Sequence, residues 1–188
     1  FDLGVHINGC IIDSAFTTII DGDPEIVEYY DPLIEASSDA TYTAICSSGV
    51  DAVLSDISAS IYEVIESYEL NDGTLVKAVE GLGGHNILPY KVHGNKLVLS
   101  VPNSIMDNVR MNDGEIYALE TFATTGFGKP TQLGADRWNH FMVNDVKINN
   151  INNNTVGSNY NNTNKYVGEY SLKNNSKPNF IIEKNKIN

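Results

Sequence analysis

The residue pattern predicts an α+β domain, and three observations carry that prediction. Residues 2–16, DLGVHINGCIIDSAF, read as strand, Asn-Gly turn and strand. Two segments with apolar residues at helical spacing follow them. Short strand-like runs, punctuated by Gly, Pro and Asn, then fill the chain to about residue 124. Strands, then helices, then strands is the order of an α+β domain rather than of alternating βαβ units. At 188 residues the chain is long enough for one sizeable domain.

Each element has a local reason. Asn8 and Gly9 both tolerate positive φ and make a tight two-residue turn. Asp31-Pro32 reads as a helix start, with Asp as N-cap and Pro at the first helical position. Leu33, Ala36, Ala40 and Ala44 follow at helical spacing, and Gly49 offers a stop. A second helix over about residues 55–68 carries the stripe Ile57, Ile61, Val64, Ile65 and Tyr68. Asn71-Asp72-Gly73 is a turn, and residues 81–95, GLGGHNILPYKVHGN, are too rich in Gly, Pro and Asn to be one regular element. Residues 96–101 form a strand ended by Pro102, and residues 115–124 a strand after Asn112-Asp113-Gly114.

Charge is uneven along the chain. Residues 1–146 hold 22 of the 24 acids and half of the 12 bases, whereas the tail from Lys147 is Asn-rich and net positive. An acidic body disfavours a nucleic-acid backbone as partner and suits bound cations or a solubilising surface. The tail, with INNINNNTVGSNYNNTNKY, has too little apolar area to offset its ordering entropy and reads as disordered. Cys10 and Cys46 form no spaced motif and read as reduced core residues of a cytosolic chain. No run approaches the length of a membrane span, and no signal peptide opens the chain. The opening Phe, with a carboxylate next to it in a strand, reads as an excerpt from a longer protein.

Two carboxylates in the first hairpin need an explanation. With Asn8 and Gly9 as the turn, Ile7 faces Cys10, His6 faces Ile11 and Asp2 faces Ala15. Asp13 is two residues from Ala15, so Asp2 and Asp13 share a face as diagonal neighbours, with Cβ atoms roughly 7–8 Å apart or less. Two ionised carboxylates on an apolar face repel and desolvate badly without a counter-charge. The plain alternative is a solvated face of an edge hairpin, but both faces here are mainly apolar. Downstream lie His85, His93 and Glu120, the last sharing a strand face with Ile116, Ala118 and Phe122. Asp, Asp, His and Glu form a hard, oxygen-rich donor set with one imidazole, suited to Mn²⁺, Fe²⁺, Co²⁺ or Zn²⁺. A pair of such ions lowers the pKa of water and clamps a tetrahedral intermediate. His6 reads as a strand residue with a satisfied hydrogen bond.

Three separated segments, DLGVHINGCIIDSAF, GLGGHNILPYKVHGN and GEIYALETFATTGFG, together with IYEVIESYE, closely resemble the type 2 methionine aminopeptidase family over about residues 1–144. The resemblance implies the pita-bread α+β fold, incomplete at both ends. Residues 1–146 would be a partial metallopeptidase catalytic domain, and residues 147–188 an Asn-rich insertion or tail. It implies a cytoplasmic enzyme with two divalent metal ions (Mn, Co, Fe or Zn) that removes the initiator methionine of nascent peptides, with the ribosome as a further partner. By position, Asp2 would chelate one metal, Asp13 would bridge both, and His85 and Glu120 would complete the ligands present. His93 would contact the scissile carbonyl and support the intermediate. His140, in RWNHFMVN, would line the methionine pocket, with Val92 and Leu82 as apolar walls. The family's upstream substrate-binding histidine and its last glutamate ligand have no counterpart, and Glu183 in FIIEKNKIN lacks the family context. The rival readings are a non-catalytic pita-bread binding protein and an Xaa-Pro aminopeptidase or prolidase relative.

Overall fold

The computed structural model describes residues 1–20, 22–131 and 181–184. The described elements all belong to one compact unit. Strands β1 (Asp2–Ile7) and β2 (Cys10–Ala15) pair antiparallel in the expected register, with Asp2 opposite Ala15, Gly4 opposite Asp13 and Ile7 opposite Cys10. Asn8 and Gly9 both take positive φ at the turn. Among the described residues this hairpin pairs with no other strand. One of its faces, with Leu3, Val5, Ile7 and Ile12, is exposed, whereas Asp13 and Ala15 on the other face are buried.

Helix α1 (Pro24–Ser47) begins earlier than Asp31-Pro32 suggests. The same Asp-Pro signature occurs at Asp23-Pro24, and there the Asp23 carboxylate accepts the Glu25 N–H at 3.0 Å. Pro32 therefore lies inside the helix, where its missing N–H costs one helical hydrogen bond. The expected stripe is correct: Leu33, Ala36, Ala40 and Ala44 are fully buried. Their small side chains let helix α2 (Leu54–Glu66) approach closely, and it buries Leu54, Ile57, Ile61 and Ile65 in return. A fully buried Leu or Ile contributes about 1.5–3 kcal/mol, so these four and Leu33 anchor the core. Cys10 and Cys46 are free, as expected, but both are exposed rather than in the core. Cys10 stands on the open side of the hairpin, and Cys46 lies outside the Ala stripe of α1.

Two small sheets complete the unit. In one, β4 (Gly83–Ile87) lies between β5 (Leu97–Leu99) and β6 (Ile116–Ala118). In the other, β7 (Thr121–Thr124) lies between β3 (Lys77–Ala78) and β8 (Ile181–Lys184). The single strand expected over residues 115–124 is thus two strands in different sheets, because β6 pairs with β4 while β7 pairs with β3. Leu119 and Glu120 make the crossing. Four residues of the segment expected to be disordered pair with β7 as β8, and the rest of that segment lies outside the described residues. No helix among the described residues is long and apolar enough to cross a membrane.

A buried hydroxyl network holds α1 against β7. Thr121 Oγ1 donates to the Ser37 carbonyl at 2.8 Å and lies 2.7 Å from Thr41 Oγ1 and 3.1 Å from Ser37 Oγ. The three residues are at most 1% exposed, so none can turn to water instead. Replacing Thr121 by the isosteric Val is expected to lower the unfolding free energy by about 1–3 kcal/mol, because the remaining hydroxyls stay buried with fewer partners. Urea denaturation of the variant against the parent measures this.

Candidate metal centre

Three side chains from three separate elements converge. Asp13 comes from β2, His85 from the middle of β4 and Glu120 from the crossing between β6 and β7. His85 Nε2 lies 3.3 Å from Asp13 Oδ2 and 3.0 Å from Glu120 Oε1. One ligand atom from each lies within 4.8 Å of the other two, and all three residues are buried. His85 Nε2 is within ion-pair distance of both carboxylates, so charge draws the three groups together. On its other side, His85 Nδ1 lies 3.3 Å from the Asn86 carbonyl. That acceptor favours the tautomer with hydrogen on Nδ1, which leaves the Nε2 lone pair aimed at two carboxylates. Three acceptors meeting in a buried space suit a cation.

A divalent metal fits this group. Ligand atoms about 2.1 Å from one ion lie about 3–4 Å from each other, which matches the observed separations. Two carboxylate oxygens and one imidazole nitrogen suit the borderline-hard divalent ions expected from the sequence. In the metal-free state a proton takes the same role. Burial alone would pull the His85 pKa down, but the contacts with Asp13 and Glu120, the charge of Glu120 and the Asn86 carbonyl outweigh it and raise the value to about 9.

The raised value has a consequence for stability. An imidazole whose folded pKa lies above its unfolded 6.5 stabilises the fold fully below pH 6.5. That contribution is lost as pH rises through about 9. Metal-free protein is therefore expected to melt at a lower temperature at pH 9.5 than at pH 6, and saturating divalent metal should flatten the dependence. Thermal melts in chelator and in metal across that window check the sign.

The other expected site residues are placed as follows. Asp2 is half-buried on the same hairpin face as Asp13, one diagonal step away, and is not one of the three converging residues. The His93 ring is exposed and stands edge-on to His85, with centroids 4.2 Å apart. Leu82 and Val92 are half-buried on either side of the β4–loop segment. His140 lies outside the described residues. His6, read as a strand residue with a satisfied hydrogen bond, accepts the Gly9 N–H through Nε2 at 3.1 Å.

Sequence reasoning missed Asn86. Its side-chain oxygen accepts the Lys96 N–H at 2.9 Å, and its backbone carbonyl accepts the Gly94 N–H at 2.8 Å as well as meeting His85 Nδ1. One buried residue thereby closes the loop that carries His93 and orients the His85 ring. The sequence offered no signal for it, since residues 81–95 read as too rich in Gly, Pro and Asn to be one regular element, whereas the structure forms β4 there.

A small α+β scaffold that buries an Asp–His–Glu cluster between a hairpin and a sheet defines a metal-binding domain. The chain matches metallopeptidase family M24 over residues 1–149 and belongs to that family. It is 50% identical over 130 residues to methionine aminopeptidase 2-1 of Penicillium rubens, covering 68% of this chain and 26% of that one. It is 45% identical over 146 residues to methionine aminopeptidase 2 of Komagataella phaffii, covering 76% of this chain and 30% of that one. The chain thus spans under a third of the length of these relatives. The methionine aminopeptidase structure from Rickettsia prowazekii superposes with a TM-score of 0.55 at 18% identity, covering 72% of this chain and 50% of that one. That from Thermotoga maritima also gives 0.55, at 19% identity, covering 77% and 49%. The fold is the pita-bread α+β fold expected above.

Proposed function

We propose that the protein carrying this chain is a methionyl aminopeptidase that uses two divalent metal ions to release the N-terminal methionine of nascent peptides in the cytoplasm. The observation that carries the reading is the buried convergence of Asp13, His85 and Glu120 in a member of metallopeptidase family M24. The names of the relatives supply the substrate.

Asp2, Asp13, His85 and Glu120 would hold the metals. When bound, the ions supply Lewis acidity and water of lowered pKa. His93, exposed beside His85, lies outside the strands and would donate a hydrogen bond to the oxyanion developing on the scissile carbonyl. Leu82 and Val92 would wall an apolar pocket for the methionine side chain. The acidic body suits a free α-amino group on the substrate better than a nucleic-acid backbone.

The test is peptide hydrolysis by the intact protein loaded with Mn²⁺ or Co²⁺. Release of methionine from Met-Ala-Ser, in preference to cleavage of Xaa-Pro peptides, is expected. Preference for Xaa-Pro peptides would move the protein to the prolidase type. Tight metal binding without hydrolysis of either would make it a binding protein.

A further inference from the structure

We propose that Tyr90 is a positioning residue: it locks the tip of the Asp13 hairpin onto the loop between β4 and β5, and so sets the distance between Asp13 and His85. The inference rests on the metal reading above and concerns how that site is assembled.

The first observation is a backbone in an unfavourable region. Leu88 and Lys91 exchange backbone hydrogen bonds, at 2.9 and 3.0 Å, and close a turn with Pro89 and Tyr90 at its corners. Pro in the first corner and positive φ in the second is the pattern of a type II turn, whose second corner is normally Gly or Asn. Tyr90 occupies it at φ +62°. A side chain in this region costs free energy that glycine would not, so something else must favour tyrosine.

The second observation says what that is. The Tyr90 N–H donates to the Gly9 carbonyl, at 3.0 Å, in the turn of the β1–β2 hairpin. The Tyr90 ring lies flush on Gly9, since a Cβ at that position would fall 2.6 Å from Cε2, 3.0 Å from Cζ and 3.1 Å from Cδ2. The His6 ring, fixed by its own bond to the Gly9 N–H, meets the tyrosine edge-on at 5.4 Å. Gly9 is buried although it sits at a hairpin tip, whereas Tyr90 is 70% exposed. The ring therefore covers the hairpin and fills no core.

The third observation is the need for such a clamp. The hairpin pairs with no other strand among the described residues, and an isolated two-stranded hairpin is marginal. Asp13 must nevertheless stay within reach of His85, 3.3 Å away, if the two are to share one ion. The loop carrying Tyr90 starts directly after β4 and carries His93. Asn86 holds the loop from within, and Tyr90 ties it to the hairpin from outside. The two clasps fix β2 and β4 at the separation a shared metal needs.

The experiment compares Tyr90→Gly, Tyr90→Phe and the parent protein by Co²⁺ titration, read in visible absorption, and by hydrogen exchange of the metal-free forms. Tyr90→Gly removes ring and strain together. It is expected to weaken Co²⁺ binding about 10–100-fold, as losses of outer-shell partners do, and to alter the Co²⁺ spectrum. Its thermal midpoint should stay within a few degrees of the parent. Amides of residues 2–15 should exchange at least about tenfold faster, because local opening is released. Tyr90→Phe keeps the ring and should match the parent throughout. Parent-like Co²⁺ binding or hairpin exchange in Tyr90→Gly overturns the proposal, as does loss of binding in Tyr90→Phe. If the parent binds no Co²⁺, the metal reading fails on its own, and the hairpin amides still decide whether Tyr90 clamps.

Discussion

Replacing Glu120 by Gln is expected to lower divalent-metal affinity at least about 100-fold, and to abolish the thermal stabilisation that metal confers. The carboxylate is nearly identical in shape to the amide, so packing at the crossing between β6 and β7 changes little. What changes is the charge 3.0 Å from His85 Nε2. The amide can offer one neutral oxygen to a cation, in a buried group where water cannot make up the loss. Loss of an outer-shell partner alone costs 10–100-fold, and loss of a charged ligand costs more. In the parent, metal at about 100 times its dissociation constant adds about 2.7 kcal/mol. For a chain of this size that is a rise of about 5–10 °C in midpoint. The variant should show almost none of it. Glu120 also helps to hold the His85 pKa near 9, so the metal-free variant should show a smaller loss of stability between pH 6.5 and 9. A metal-induced shift as large in the variant as in the parent would remove Glu120 from the ligand set.

Much of this site was legible because it was written in short-range patterns. The hairpin register follows from one dipeptide: placing Asn8-Gly9 at the turn puts Asp2 opposite Ala15 and Asp13 on the same face, as the structure has it. The helix stripes were legible for a similar reason, since the buried residues of α1 and α2 recur at three- and four-residue spacing. The start of α1 was not, because Asp-Pro occurs twice and local chemistry does not choose between the two sites. The choice falls to Asp23-Pro24, which adds two turns to the helix despite the interior Pro32. The break at Leu119-Glu120 was also hidden, as residues 115–124 alternate like one strand and only their separate partners, β4 and β3, divide them. Asn86 and Tyr90 escaped for a deeper reason. Their roles are contacts across the loop and to the hairpin tip, and nothing local to either residue names those partners.

The Gly84→Ala substitution is expected to destabilise the fold by about 3 kcal/mol or more and to remove metal binding with it. Glycine before His85 looks like a flexible loop residue, but here it is a spacing device. Gly84 is buried in β4, and a Cβ there would lie 2.2 Å from the Ala118 carbonyl oxygen, 2.9 Å from the Glu120 nitrogen and 3.0 Å from the Leu119 Cα. All three obstacles are backbone, so no side chain can rotate away. Gly83 has the same relation to β5, 2.2 Å from the Val98 oxygen and 2.5 Å from the Leu99 Cα. Two consecutive glycines thus let both neighbouring chains close on β4. Admitting one methyl group requires β6 and the crossing to retreat by roughly 1 Å, because overpacked interiors respond by shifting backbone. That retreat strains the pairing of His85 with Ala118 and of Asn86 with Tyr117. It also moves Glu120 away from His85, so stability and ligand geometry fail together. Gly49→Ala is the control, since nothing lies within 4 Å of a Cβ there, and it should change stability by no more than about 0.5 kcal/mol. Urea denaturation of both variants, with Co²⁺ titration of Gly84→Ala, decides the matter. If Gly84→Ala unfolds like the control and still binds metal, the close approach of β4 and the Glu120 crossing is wrong. If it unfolds early and loses Co²⁺ while Gly49→Ala does neither, the close approach at Gly84 is what brings Glu120 within reach of Asp13 and His85.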